Sequence, residues 1–343
     1  MSSKLIVVTL FKCLFVIFYG VIGCFGMLLE LITHGPRKFF HRKQRHSRPE
    51  CMNDPALGEH GFLSLNKADI RIHYVAAGDE DKPLMLLVHG FPECWYIWRH
   101  QLRAFKNDYR VVAIDLRGYG ESETPNGVLN YTSKIIIDDI KEVVLELGYN
   151  SCVLVAHDWG GVIAWRVAME YPELVDKLVV ANAAYPERMK QHLMSHLSQF
   201  RKSWFMFFFQ IPYLSEMMIQ ANDYGFIEDC FYGKSRTPAD MCTQDDMEAM
   251  KYAFSQKGNV TAALNYYRAS SKTKPMKSKN VSSPTLLIWG EKDDVLEVEM
   301  AKGTEKYVEN MRLEVIEDAG HFIIQDNPVE VNRLINEFLK GQQ

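Results

Sequence analysis

The chain is 343 residues long, 47% hydrophobic and 24% charged, enough for one large core with an inserted subdomain, and this excludes disorder for most of its length. A formal net charge of -4, with no basic stripe interleaved with aromatics in the body, gives no reason to expect nucleic acid; small uncharged partners fit better. The seven cysteines are odd in number and never form a C-x-x-C pair, so neither a disulfide framework nor a zinc site is indicated, and no metal or cofactor is expected.

Residues 5–29 are nearly all apolar, interrupted by Lys12. At ~1.5 Å per residue the run exceeds a hydrocarbon core of roughly 30 Å, which predicts a single membrane span. A cleaved signal peptide is the rival reading, and its apolar region of about 7 to 15 residues fits poorly. Behind the span come Arg37, Lys38, Arg42, Lys43, Arg45 and Arg48, with only Lys4 and the amino terminus ahead of it. Counting positive charges places the body in the cytosol. Three glycosylation sequons, at Asn130, Asn259 and Asn280, suit the lumen instead. The chain thus divides into a membrane anchor (1–34), a basic linker (35–60) and a globular body.

The body opens with strand-like runs, alternating at 70–75, continuously apolar at 84–88 and again at 110–114. Continuous apolar strands mean burial on both faces. Residues 133–147 follow at helical spacing, with Ile136, Ile140, Val143, Val144 and Leu147 on one face. Strand and helix in alternation predict an α/β fold, a mostly parallel sheet with helices on both faces. Residues 185–280 then turn rich in Met, Phe, Tyr and helix formers without a convincing strand, and strands resume at 285–289 and 313–316. The economical division is a core half at 61–184, a helical cap at 185–280 over the carboxyl ends of the strands, and a second core half at 281–343.

Within the first half, Val153-Leu154-Val155-Ala156-His157-Asp158-Trp159-Gly160-Gly161 reads as strand, tight turn and helix. This is the form of a nucleophile elbow, with Asp158 where a serine is usual. Asp158 also suits a plain helix N-cap. Further on come Asp293, in Trp289-Gly290-Glu291-Lys292-Asp293-Asp294, and His321, in Asp318-Ala319-Gly320-His321-Phe322. Each follows a strand, so all three reach one edge of the sheet, and nucleophile, acid, histidine is the chain order of the α/β-hydrolase triad. Glu291 and Asp294 compete with Asp293 for the middle role. Ser122, in a glycine-rich run that lacks a phosphate-loop tail, reads as structural.

His89-Gly90-Phe91-Pro92, Arg117-Gly118-Tyr119-Gly120-Glu121-Ser122 and His157-Asp158-Trp159-Gly160-Gly161 together resemble the epoxide hydrolases of the α/β-hydrolase superfamily, over about 61–339. The apolar, basic-flanked amino terminus looks like the membrane-bound branch. The chemistry agrees, because a carboxylate attacks an alkyl carbon readily and an ester or amide poorly. The resulting ester on Asp158 then needs His321 as general base on water, with Asp293 orienting the imidazole. The backbone N–H groups of Phe91 and Trp159 are the candidate oxyanion donors, although His89-Gly90-Phe91-Pro92 also serves as an ordinary strand-ending turn.

The resemblance further implies two cap tyrosines that protonate the departing oxygen. Tyr267, in Asn265-Tyr266-Tyr267-Arg268, matches the second, with Tyr266 where tryptophan is common; at the first position stands Phe205, which cannot donate a hydrogen bond. Tyr213 and Tyr224 are possible substitutes, and Trp159, Phe205 and Tyr266 are the expected pocket walls. The expected reaction is hydrolysis of a small lipophilic epoxide to a vicinal diol. Two alternatives stay open, a haloalkane-dehalogenase-like enzyme using the same Asp158 and a catalytically weak membrane-tethered binding module.

Overall fold

In the computed structural model, which describes residues 3–232, 242–272 and 280–341 and only the backbone of 3–12 and 271, eight strands form one sheet in the order β1-β2-β4-β3-β5-β6-β7-β8. The strands are β1 (Glu59–Leu65), β2 (Ile70–Ala77), β3 (Leu84–Val88), β4 (Arg110–Ile114), β5 (Cys152–His157), β6 (Val175–Ala181), β7 (Thr285–Gly290) and β8 (Met311–Ile316). β2 pairs antiparallel with β1 and β4, and every other pairing is parallel. β3, β5 and β7 are buried at every position, as their unbroken apolar sequences require. β1 and β6 were not legible as runs. β1 is a half-exposed edge strand carrying His60, Gly61 and Ser64, and in β6 the charged Asp176 and Lys177 follow Val175 ahead of the apolar half.

The helices are α1 (Ser3–Phe39), α2 (Arg99–Phe105), α3 (Ser133–Glu146), α4 (Trp159–Glu170), α5 (Pro186–Ser195), α6 (Leu197–Lys202), α7 (Trp204–Phe208), α8 (Leu214–Tyr232), α9 (Gln244–Ser255), α10 (Asn259–Ala269), α11 (Ile323–Asp326) and α12 (Pro328–Leu339). α3 packs on α4, and α2 packs on α12. At β3 the strand order reverses, with β4 on one side and β5 on the other, which opens a crevice beyond the carboxyl ends of β3 and β5.

Between β6 and β7 the described residues hold α5 to α10 and no strand; of the expected cap, 233–241 and 273–279 lie outside the described residues. At the other end, Cys13–Phe39 of α1 is long and apolar enough to cross a membrane; the side chains of 5–12 in the expected span lie outside the described residues. The segment behind it is not a free tether. Arg45 reaches Asp223 at 2.7 Å and Glu248 at 3.0 Å, Lys43 reaches Glu248 at 2.7 Å, and Arg48 pairs with Glu121.

Candidate active site

β5 ends at His157 and α4 begins at Trp159, so Asp158 alone turns the chain. It does so at φ 47° and ψ -119°, backbone that costs an L-residue about 1–3 kcal/mol. Its side chain makes no capping bond to α4, so the carboxylate is left for the crevice. Glycine makes the turn possible: a Cβ on Gly160 would stand 2.1 Å from the Val88 carbonyl oxygen, and one on Gly90 would stand 2.5 Å from the Asp158 carboxylate. Because backbone cannot yield as a flexible side chain does, Gly160→Ala should lower stability by on the order of 3 kcal/mol. An unchanged midpoint in a denaturant melt would refute that close contact.

Asp158 Oδ1 accepts the Phe91 N–H at 2.8 Å, and Oδ2 faces His321 Nε2 at 3.5 Å. His321, in the loop after β8, donates Nδ1–H to Asp293 Oδ2 at 2.8 Å. Asp293, just beyond β7, is itself held on three sides. Its Oδ1 accepts the N–H groups of Val295 and Leu296, each at 2.8 Å, and its Oδ2 accepts Asn182 Nδ2 at 2.6 Å. Glu291 is exposed, and Asp294 lines the cavity without standing behind the histidine, so of the three neighbouring acids it is Asp293 that meets His321. Burial opposes charge on His321, yet Asp293 and Asp158, facing its two ring nitrogens, hold it well above the ordinary histidine range. Burial likewise works against the Asp158 carboxylate, and His321 outweighs it and keeps the pKa below the usual value. Both shifts favour the carboxylate–imidazolium pair over the neutral one.

Two cavities meet at Asp158. One, of about 240 Å³, runs past Trp204, Phe209, Phe226, Cys230 and Phe322; the other, of about 180 Å³, runs past Trp159, Ala184, Met189, Met206 and Leu296. Asp158, Phe205, Tyr267 and Val295 border both. The walls are mostly apolar, which suits a substrate with hydrocarbon on both sides of its reacting carbon. The Tyr267 ring stands edge-on to Trp159 at 5.0 Å and to Phe205 at 5.9 Å between centroids. Burial raises its phenol well above the usual tyrosine range, and the charge of Asp158 adds to this, so the hydroxyl stays protonated.

Tyr266 does not border these cavities. Neighbours on a helix project about 100° apart, and while Tyr267 looks into the crevice, the Tyr266 hydroxyl donates to the Arg117 carbonyl at 2.9 Å. Tyr213 is exposed, and Tyr224 lies beneath Arg45, so neither substitutes for a hydroxyl at Phe205. Among the described residues Tyr267 is the one tyrosine on either cavity. Trp159 lines the second cavity and opens α4 next to Asp158. Ser122 is structural: its hydroxyl donates to the Asp115 carbonyl at 2.6 Å and accepts the His73 N–H at 2.9 Å.

Three supporting residues escaped the sequence reading. His157 is fully buried, with Nδ1 at 3.0 Å from Glu93 Oε2 and Nε2 at 2.8 Å from the His321 carbonyl oxygen. Two acceptors on one ring make both nitrogens donors, so the ring carries a charge; burial works against that charge and Glu93 prevails, raising the pKa. Glu93 also accepts the Gly90 N–H at 2.7 Å, so one pair ties together the loop after β3, the end of β5 and the loop after β8. Asn182, at φ 43°, is the third, through its bond to Asp293. Glu93 directly follows a motif already singled out and His157 lies inside one, and those positions were the available signal.

The model of the alpha/beta hydrolase fold matches residues 83–328. The chain is 46% identical to epoxide hydrolase 4 of Homo sapiens over 319 residues, 92% of this chain and 88% of that one. It is 42% identical to epoxide hydrolase 3 of Xenopus tropicalis over 317 residues, 91% and 86% of the two chains. Among solved structures it is similar to a Bacillus megaterium epoxide hydrolase in complex with an inhibitor, with TM-score 0.75 and 33% identity over 82% of this chain and 100% of that one.

Proposed function

This chain belongs to the epoxide hydrolase family of the α/β-hydrolase superfamily, and from that premise we propose that it hydrolyses a lipophilic epoxide to a vicinal diol through an ester on Asp158. The observation that carries the reading is a carboxylate, where acyl hydrolases place a hydroxyl, on a strained turn with His321 at 3.5 Å.

In the first step an Asp158 oxygen displaces the epoxide oxygen at carbon, and Tyr267 gives its phenolic proton to the departing alkoxide. The charge that His321 opposed then disappears, because the ester is neutral. With one of its two facing anions gone, the imidazole loses part of the cause of its raised pKa and can release its proton. Neutral His321 takes a proton from water, which attacks Cγ of Asp158. Asp293 stabilises the imidazolium formed, and the Phe91 N–H, aimed at Oδ1, stabilises the oxyanion, with the Trp159 N–H as the second donor. Collapse of the tetrahedral carbon breaks its bond to the diol oxygen, which takes the proton of the new carboxylic acid, so the carboxylate is restored. The proton His321 released after the first step has meanwhile returned the Tyr267 phenolate to phenol, and every group is back in its starting state.

This route fixes where oxygen goes. A single turnover in H₂¹⁸O with enzyme in excess should give unlabelled diol, with the label left on Asp158, because the added diol oxygen comes from the carboxylate. Labelled diol from the first turnover would mean that water attacks the epoxide directly, which would sink the ester route.

We further propose that α1 anchors the enzyme to the endoplasmic reticulum with the body in the cytosol. Arg37 and Lys38 close α1, and basic residues beside a membrane segment are drawn to the anionic lipids of the cytosolic leaflet, which supports that side. Asn259 favours it too, since its side-chain amide is buried and donates to the carbonyls of Gly120 and Ala253, each at 2.8 Å. Protease added to sealed microsomes should digest the body; glycans at Asn130, Asn259 or Asn280 would reverse the assignment.

A further inference from the structure

Over about 22 Å of axis at ~1.5 Å per residue, α1 lies along α6, α7 and α8 between Phe15 and Glu30. The Phe15 ring meets Phe200 at 4.9 Å and Phe207 at 5.5 Å between centroids, and Tyr19 stacks on Phe207 at 5.9 Å. Gly20 and Gly23 permit the approach: a Cβ would come 2.7 Å from Ile211 at the first and 2.1 Å from Phe208 at the second. Farther along, Asn222 Nδ2 donates to Glu30 at 3.0 Å. The other side of α1 is an exposed apolar stripe of Phe18, Val21, Phe25, Leu29 and Ile32.

Two exposed hydrophobic side chains stand close along the chain to the residues that α1 packs on. Leu197, 63% exposed, lies one turn before Phe200 on α6, and Tyr213, 87% exposed, lies two residues past Ile211. Arg201, exposed one turn after Leu197 on α6, suits a lipid phosphate there. The same stretch of α1 cannot both hold these helices and cross roughly 30 Å of hydrocarbon alone. Crossing while packed would carry the acidic side chains of α8, among them Glu228 and Asp229, into the membrane, where charge is costly.

We propose that α1 stays on α6 to α8 and that this joint surface seats in the cytosolic leaflet of a lipid bilayer, so that the cavity takes its epoxide from the lipid phase. The partition between them is thin. α7 is five residues long; Trp204 and Phe205 face the cavity, while Phe207 and Phe208 face α1. The cargo rests on the hydrolase reading above, whereas the surface stands on packing alone.

The test uses the full chain in phosphatidylcholine vesicles carrying anionic lipid, with photoreactive p-benzoylphenylalanine replacing Leu197, Tyr213 or Val329 in turn. Val329, 81% exposed on α12, is an apolar control away from α1. Lipid adducts at 197 and 213 and none at 329 are expected. Absence of adducts at 197 and 213 would overturn the proposal and leave α1 as a free span holding the body off the membrane. In parallel, Leu197→Asp with Tyr213→Asp should slow turnover of a long-chain terminal epoxide dissolved in the vesicles several-fold, and leave a short water-soluble epoxide unaffected. Equal loss on both substrates would refute lipid-phase delivery. If wild type opens neither epoxide, the hydrolase reading fails, and the lipid adducts still decide the surface.

Discussion

His321→Ala protein treated with a lipophilic epoxide should accumulate a stoichiometric ester on Asp158 while diol release falls by about 10²- to 10⁴-fold, the range of general base contributions. The asymmetry follows from the geometry. Attack needs only the Asp158 carboxylate, whose Oδ1 stays fixed by the Phe91 N–H at 2.8 Å after the imidazole is gone. Release needs a base on water, and Nε2 of His321 is the ring nitrogen that faces Asp158, because Nδ1 is committed to Asp293 at 2.8 Å. Intact-mass spectrometry with peptide mapping reads the adduct directly. An active wild type with no adduct in the variant would mean that the two-step scheme is wrong. Acid should mimic the variant. His321 must be neutral to act as base, so lowering the pH protonates it in the ester state and slows release, whereas the low pKa of Asp158 keeps the nucleophile ionised and attack intact. The ester should therefore build up in wild type as the pH falls.

What the sequence made legible was whatever depends on neighbours along the chain. The elbow at Asp158 needs a strand, small residues and a helix in immediate succession, and all three lie within a dozen positions. The apolar runs of β3, β5 and β7 announce burial on both faces, and from strand ends alone Asp158, Asp293 and His321 could be assigned to one edge. Contacts between distant segments left no such trace. Glu93 and His157 are 64 positions apart, and only folding makes them a pair. The basic run at 37–48 reads as a solvated, topology-setting segment, yet the Arg45 side chain is 3% exposed and clamped between Asp223 and Glu248. Tyr266 and Tyr267 are indistinguishable as letters; the orientation of α10 is what gives one to the crevice and the other to the Arg117 carbonyl. The packing of α1 along α6 to α8 was hidden for the same reason, since an apolar run long enough to cross a bilayer looks alike whether lipid or protein covers it.

Tyr267→Phe should cost the alkylation step more than the 10²-fold or so at the lower end of general acid contributions. The resemblance implies two hydroxyls over the departing oxygen, with Phe205 at the first position; its ring stands 5.9 Å from that of Tyr267 at 88° and borders the same two cavities. Neither Tyr213 nor Tyr224 reaches those cavities, so nothing among the described tyrosines replaces the missing donor. The whole of the negative charge developing on the oxygen then falls to one phenol, and its removal leaves a strong base to depart unprotonated. Phe205→Tyr should act in the opposite sense. A hydroxyl added there gains most as charge develops, so it should raise the alkylation rate more than it tightens substrate binding. Stopped-flow alkylation under single-turnover conditions separates rate from affinity for wild type and both variants. A halide leaves without a proton, so a carbon–halogen substrate would be insensitive to the loss of the phenol. An unchanged epoxide alkylation rate in Tyr267→Phe would place the proton source elsewhere and remove the feature that favours an epoxide over a haloalkane at this carboxylate.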